Sequence, residues 1–552
     1  MSQQLTHTVG SLLDDMARRY PDNEALVYPE RGLRYSYKQL NDTCRQIAKG
    51  LMALGIKKGD NIAIWAYNVP EWVLLQFASA KIGAVLVTVN TSYKSAELEY
   101  ILDQSDSTSL FMVGSFKDTN YVETLGSVVP ELAASEPGKL NSHKLPFLKN
   151  IIFIGGETPA GMLNFDSIIK RGEGVTDPEL AAIEDSLDCF ETINMQYTSG
   201  TTGFPKGVML THYNLVNNGF QIGECMKFTE HDRLCIPVPF FHCFGCVLGV
   251  MVCVTHGSTM VPVEIFDPLK VLQTIEKEKC TAVHGVPTMF IAELEHPEFA
   301  KYDLSSMRTG IMAGSVCPIE VMKRAVKDMH VTEITSVYGQ TESSPGITQT
   351  RTDDAIELRV ATVGRALPGA EVKIIDIETG ATLPPGKQGE LCARGYMVMK
   401  GYYKMPEETA NVIDVDGWLH TGDLAIMDEN GYCKITGRIK QMIIRGGENI
   451  YPREIEEFLY THPKVSDIQV YGVPDKKYGE QVMAAIILKK GMEMSEDEVR
   501  DFCRGKIANY KIPKYVKFVD GYPMTASGKI QKFKMREMAI KELQLEEMGE
   551  TA

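Results

Sequence analysis

The sequence predicts an α/β fold: a large N-terminal part of α/β layers with a small β-rich subdomain, followed by a small α+β C-terminal part. Three observations carry this. The first 430 residues or so alternate short β-branched runs with helix-spaced apolar residues, the signature of layered, largely parallel sheets. After Gly364 the runs shorten and are punctuated by Gly, Pro and Asp-Gly turns. After Arg438 the pattern changes once more, to a compact mixture of strand and helix. The expected boundaries are 1–438 for the large part, with its β-rich subdomain at about 362–438, then a junction at 439–441, then 442–552.

In chain order, SLLDDMARRY (11–20) has helical spacing, and NIAIWAYN (61–68), AVLVTVN (84–90) and NIIFIGG (150–156) read as strands. LKVLQTIEKEK (269–279) and PIEVMKRAVKDM (318–329) are helical, each followed by a strand-like run, CTAVHGV (280–286) and TEITSVYG (332–339). AEVKIIDIETG (370–380), GELCARG (389–395) and GYCKITGR (431–438) are the β-rich segments. In the last part Pro452 suits a first helical position, with Ile455, Phe458 and Leu459 on one face.

With 552 residues, 44% hydrophobic and 23% charged, the chain has a globular composition and ample core for several folding units. Its net charge of −15 disfavours nucleic acid or an anionic membrane as the main partner. No apolar run approaches the ~18–20 residues of a membrane span, and the N-terminus lacks a secretory core, so a cytoplasmic protein is expected. The 12 cysteines are scattered and do not read as a disulfide framework. His242, Cys243, Cys246, Cys253 and His256 imitate a zinc pattern, but the spacing is wrong and the stretch is apolar, so buried packing is expected there. The charge is uneven. From Lys440 onward there are 19 basic and 18 acidic residues. Between Arg504 and Arg536 nine basic residues accompany the single acid Asp520, which reads as a cationic edge on an otherwise neutral piece.

The most informative stretch is YTSGTTGFPKGVMLTH (197–212). A β-like run enters Thr198, Ser199, Gly200, Thr201, Thr202 and Gly203, followed by Lys206. Glycines let backbone N–H groups approach phosphate oxygens, hydroxyls add donors and the lysine adds charge, so the segment reads as a phosphate-gripping loop. It is not a Walker A loop: Pro205 and Gly207 stand where that motif needs Gly and Ser/Thr. Downstream follow Tyr338-Gly339-Gln340-Thr341-Glu342, Gly389-Glu390-Leu391 with Arg394-Gly395, Gly417-Trp418-Leu419-His420-Thr421-Gly422-Asp423, Gly437-Arg438-Ile439-Lys440 and Pro523-Met524-Thr525-Ala526-Ser527-Gly528-Lys529.

In order and spacing, over almost the whole chain, these segments resemble the adenylate-forming superfamily: acyl-CoA synthetases, beetle luciferases and the adenylation domains of peptide synthetases. The resemblance implies an AMP-forming acid–thiol ligase that uses ATP, Mg2+ and coenzyme A. A carboxylate is joined to the α-phosphate, pyrophosphate leaves, and the acyl group passes to a thiol; charge on the phosphoryl oxygens is stabilised by fixed cations and donors. It further implies that residues 198–206 hold the β- and γ-phosphates, that Thr341 donates near the α-phosphate and that Glu342 helps hold Mg2+. Tyr338 would stack on adenine beside Gly314 and Ser315, next to Gly339 and Gln340. Asp423 would accept from the ribose hydroxyls with Arg438 closing the contact, Lys529 would bridge carboxylate and α-phosphate, and His242 would gate the acid pocket. Lys440 matches the hinge about which a mobile C-terminal lid swings. Beetle luciferases carry a second lysine just beyond, at a position that here is Ile444, which turns the reading from oxidation to thioester formation.

The apolar surroundings of His242, with no acid to hold an ammonium group, suit a medium- to long-chain fatty acid. An aryl or alicyclic acid, a separate carrier protein as acceptor, a non-catalytic nucleotide-binding homologue and a homo-oligomer all stay open. The chain ends shortly after the Lys529 motif, which favours CoA over a fused carrier domain.

Overall fold

The first helix forms at Val9–Arg19 because Thr8 caps it, its side chain accepting from Ser11 N, and because Val9, Leu12, Leu13 and Met16 lie on one buried face. The computed structural model that shows this describes residues 4–198, 205–314, 317, 319–445, 448–504, 506–525 and 530–545, with the backbone alone at 448 and 449. The chain divides into two units, Met1–Val372 with Ala393–Leu419, and Lys373–Cys392 with His420–Ala552.

The first unit contains two large sheets. One has seven strands in the order Glu333–Thr335, Thr309–Met312, Ala282–Gly285, Arg233–Ile236, Thr259–Pro262, Glu24–Tyr28 and Leu33–Ser36, all parallel except the last pair. The other has eight, in the order Gly401–Tyr402, Lys206–Thr211, Thr192–Thr198, Val85–Thr88, Asn61–Trp65, Ser109–Met112, Asn150–Phe153 and Leu163–Asn164. Its first three strands run antiparallel and the rest parallel. The parallel strands Asn61–Trp65, Val85–Thr88 and Ser109–Met112 are buried along their whole length, as strands covered on both faces must be. The mixed α/β character and the positions of these strands and helices agree with the sequence reading. One run differs: residues 332–339 split into Glu333–Thr335, at the edge of the seven-stranded sheet, and Val337–Gly339, which joins Gly346–Gln349 and Arg365–Ala366 in a separate three-stranded sheet. Continuous β-propensity cannot reveal such a change of partner.

The second unit holds a sheet ordered Glu448–Ile450, Ile443–Arg445, Gly479–Leu488, Val465–Asp475, with Tyr515–Phe518 beside Gly479–Leu488. Helix Pro452–Tyr460 buries Ile455 and Leu459 against that sheet's core, as its spacing predicts. A four-stranded sheet of Ala370–Ile375, Gln388–Gly395, Leu419–Met427 and Cys433–Arg438 accounts for the β-rich segments. The cationic edge expected between Arg504 and Arg536 is largely neutralised. Arg504 pairs with Asp501, Lys511 with Glu454, Lys514 with Asp475, Lys517 with Glu542, Lys532 with Glu456 and Arg536 with Glu480. The acids come from elsewhere in the unit, so a local count overstated the field.

Among the described residues no helix is long and apolar enough to cross a membrane. Cys243, Cys246 and Cys253 are buried, as expected of packing cysteines. They sit in and around a π-helical stretch, Cys246–Met251, where burial pushes the Cys246 thiol up to about 12.

Candidate active site

The phosphate-loop candidate is a connection between two paired strands. Thr198 ends Thr192–Thr198, Lys206 begins Lys206–Thr211, and the two residues are partners in the antiparallel ladder. The stem is held from outside: Tyr100 Oη donates to Pro205 O at 3.0 Å, and Tyr197 Oη donates to Gln104. Ser199, Gly200, Thr201, Thr202 and Gly203 lie outside the described residues, as do Ser315 and Lys529.

Lys206 does not stand alone. Its ammonium forms an ion pair with Glu408 and lies 5.0 Å from the centre of the Tyr402 ring. Tyr402 Oη in turn donates to Glu342 Oε1 at 2.8 Å. Burial and the neighbouring Glu342 and Glu408 carboxylates hold the Tyr402 phenol well above its ordinary range, so it stays a donor. Neither Tyr402 nor Glu408 is called by a motif; Glu408 lies 202 residues from Lys206, and only the strand pairing of Gly401–Tyr402 with Lys206–Thr211 brings them together. The chain around Tyr402 is core and cavity wall: Met397 and Met399 are buried, and Met399, Tyr402 and Met405 line a cavity of about 640 Å³.

Glu342 and Thr341 form a single 3-10 turn, Thr341–Ser343, fixed by Met399 N donating to Glu342 O at 2.9 Å. Tyr338 and Gly339 close the preceding strand, with Tyr338 half-buried. Gly339 has no room for a side chain, since a Cβ there would lie 1.7 Å from Pro345 O; Gln340 N donates to that same carbonyl at 3.0 Å. Gly314, at φ +89°, lies two residues beyond the strand Thr309–Met312, beside Val286. The carboxylate of Glu342 is a hard oxygen donor of the kind Mg2+ takes together with substrate phosphates, and its partner Tyr402 is a neutral donor.

His242 begins the apolar helix-and-π segment: its carbonyl accepts from Gly245 N at 2.9 Å and Cys246 N at 3.1 Å, and its ring leans on Phe241. Gly245 is required, because a Cβ would meet Pro239 O at 2.2 Å. The segment buries Val247, Leu248, Val250 and Met251. Deep beside it, His284 Nε2 donates to Leu248 O at 3.0 Å, and burial lowers its pKa to about 4, so it is neutral.

In the second unit Asp423 is 3% exposed, and its Oδ1 accepts from Arg438 Nε at 2.8 Å. The two are ladder partners on adjacent antiparallel strands. Asp423 N donates to Thr421 Oγ1 at 3.2 Å, and Thr421 Oγ1 donates to Leu391 O at 2.6 Å. Gly422, at φ +69°, sends its N–H to Glu390 Oε1 at 2.9 Å, and His420 Nδ1 lies 3.0 Å from Glu390 Oε2. Glu390, Cys392 and His420 are the one group among the described residues whose ligand atoms gather within 4.8 Å as a metal would require. Both carboxylate oxygens, however, already face nitrogen partners. Lys440 is exposed in the short helical turn Ile439–Gln441 that follows Arg438.

Residues 13–403 match the AMP-binding enzyme family and residues 454–529 its C-terminal domain. A Bacillus subtilis (strain 168) protein named as an acyl-CoA synthetase, YngI, is 59% identical over 98% of each chain. The medium-chain acyl-CoA ligase ACSF2, mitochondrial, of Rattus norvegicus is 42% identical over 99% of this chain and 89% of its own. Among solved structures, ATP-bound MatB from Rhodopseudomonas palustris superposes with a TM-score of 0.82 at 28% identity, covering 97% of this chain and 99% of that one.

Proposed function

The chain belongs to the AMP-binding enzyme family, and from that premise we propose that its acid substrate is a medium- to long-chain fatty acid. It is an acid–thiol ligase of the acyl-CoA synthetase kind: ATP activates a carboxylic acid, and the acyl group passes to CoA. The observation that supports a fatty acid is the buried, acid-free apolar segment that follows His242, Val247 to Met251 above all.

The proposed division of labour follows charge. Residues 198–206 hold the β- and γ-phosphates, with Lys206 giving up Glu408 when the polyanion arrives. Glu342, with the phosphates, holds Mg2+, which neutralises phosphate charge when bound. Thr341 donates near the α-phosphate. Tyr338, with Gly314, Ser315, Gly339 and Gln340, takes the adenine; Asp423 and Arg438 take the ribose. Lys529 supplies the charge on which the carboxylate and α-phosphate meet, His242 gates the acid, and Lys440 is the hinge between a body at 1–438 and a lid at 442–552. The setting is proposed to be the cytoplasm, with no nucleic acid among the partners.

The test is ATP-dependent pyrophosphate release over acids from acetate to palmitate, with benzoate and amino acids, run with and without CoA. The expected maximum lies among C8–C16 acids, with thioester formed only when CoA is present. A maximum at benzoate or an amino acid overturns the fatty-acid reading, and silence with every acid overturns the assignment of the site.

A further inference from the structure

Asp423 is a charge kept out of water, and such a group needs its position built by others. Arg438 supplies the countercharge from a side chain that is 58% exposed. The firmer support comes from the neighbouring strand. Gly422 sits inside the strand Leu419–Met427 with φ +69°, a left-handed conformation that turns its N–H away from an ordinary ladder. That N–H is taken by Glu390 Oε1. The other oxygen of Glu390 holds His420 Nδ1, and His420 and Gly422 flank Thr421, whose hydroxyl spans from Leu391 O to Asp423 N. Glu390 and Leu391 on one strand therefore grip His420, Thr421 and Gly422 on the next, and Thr421 passes that hold to Asp423 N.

We propose that Glu390 is a positioning residue for the ribose contact: its carboxylate clamps Gly422 N–H and the His420 imidazole, and with Thr421 this fixes the backbone on which Asp423 is carried. The inference rests on the reading of Asp423 as the ribose ligand. A carboxylate suits this task because it accepts on both oxygens at once and is 9% exposed, where each N–H···O− bond counts for more than in water. The imidazole keeps Glu390 from turning away from Gly422. The geometry also explains why this trio is not needed as a metal site, since a metal would have to displace the bonds that hold the loop.

The test compares ATP with 2′-deoxy-ATP in the adenylation half-reaction. The wild-type enzyme is expected to prefer ATP; E390A is expected to raise the KM for ATP about tenfold, the scale of one lost hydrogen bond to a charged group, with kcat little changed, and to bring the preference over 2′-deoxy-ATP within about twofold. E390Q, whose amide oxygen still accepts from Gly422 N and whose amide nitrogen can face a neutral imidazole, is expected to recover most of that preference. If E390A does not fold, T421V against T421S asks the same question, the serine keeping the hydroxyl. Unchanged preference in folded E390A or T421V overturns the inference. D423N separates the two claims: if it leaves the preference intact the ribose reading falls, whereas loss in D423N with none in E390A sinks the clamp alone. Zinc bound by wild type but not by a Cys392→Ser variant, with no change in preference in E390A, would make the trio a metal site instead.

Discussion

Lys206 and Asp423 are both charged groups set against an opposite charge, yet they are held in opposite ways. Lys206, 18% exposed, meets Glu408, 45% exposed, through an ion pair between the ends of two long side chains. Such a pair contributes little, on the order of 0–1 kcal/mol, and exchanges readily for a better anion. Asp423 is a short side chain on a strand, braced through backbone N–H groups by Glu390 and Thr421. On the proposed roles, Lys206 takes the polyanion by partner exchange, whereas Asp423 offers the neutral sugar a preformed acceptor. A diffuse, variable charge tolerates adjustable ligands; hydroxyl recognition depends on position and cannot wait for it.

The largest expected effect tests the exchange side. K206A should lower kcat/KM for ATP by about 10²–10³, the range for removing one preorganised donor to developing phosphate charge. Measured beside D423N, it should lose rate whichever nucleoside is attached, while D423N loses mainly the ability to tell ribose from deoxyribose. If K206A affects the sugar preference instead, the two roles are not separate and the comparison fails.

A smaller effect, of opposite sign, sharpens it. E408Q removes the placeholder and should lower the KM for ATP by about two- to fivefold, a pair of this exposure being worth under about 1 kcal/mol. The gain should shrink at high salt, where the pair is already screened, and vanish in a K206A background, as a double-mutant cycle requires for one shared interaction. An E408Q gain that persists without Lys206 would show that Glu408 repels ATP directly rather than by occupying the lysine.

The parts of the site legible in the sequence are those whose chemistry lies within one segment. Thr198 and Lys206 stand at the ends of a single glycine- and hydroxyl-rich run, and the structure pairs them across the strands that the run connects. Strands such as Asn61–Trp65 and Ala282–Gly285 are visible because burial on both faces leaves a continuous apolar word. What escaped notice is pairing at long range. Glu408 reaches Lys206, Tyr402 reaches Glu342 across 60 residues, and Glu390 reaches His420 across 30, each through sheet neighbours that periodicity does not identify. The same blindness made residues 504–536 look cationic, since Glu454, Glu456, Asp475 and Glu480 lie outside the window in which charges were counted. A signal for the clamp was nonetheless present: a Gly-Glu pair in one strand and a His-Thr-Gly-Asp run in another offer two acceptors and an unusual glycine, though not their contact.

The smallest effect concerns folding rather than catalysis, and it extends the contrast between groups held by partners and groups held by burial. Asp475 in the second unit is lowered to about 2, chiefly by the Lys514 ammonium, so its contribution is lost only in strong acid. Glu293, on helix Pro287–Leu294 in the first unit, is 1% exposed, has no hydrogen-bond partner for Oε2 among the described residues, and is raised by burial from 4.5 to about 8. Between those two values the folded protein keeps a proton that the unfolded chain has released. Stability from this group is therefore complete below about 4.5 and declines as pH rises toward about 8, with a slope of at most ~1.4 kcal/mol per pH unit. Denaturant unfolding of wild type and E293Q across pH 5 to 9 isolates it, because the amide cannot ionise. The difference in unfolding free energy between them should shift in favour of E293Q as pH rises and level off near pH 8. A difference that stays flat over this range would show that Glu293 is ionised in the fold and that a counterion or water reaches it, which would place a polar channel behind the helix and abolish the distinction between burial and partnership there.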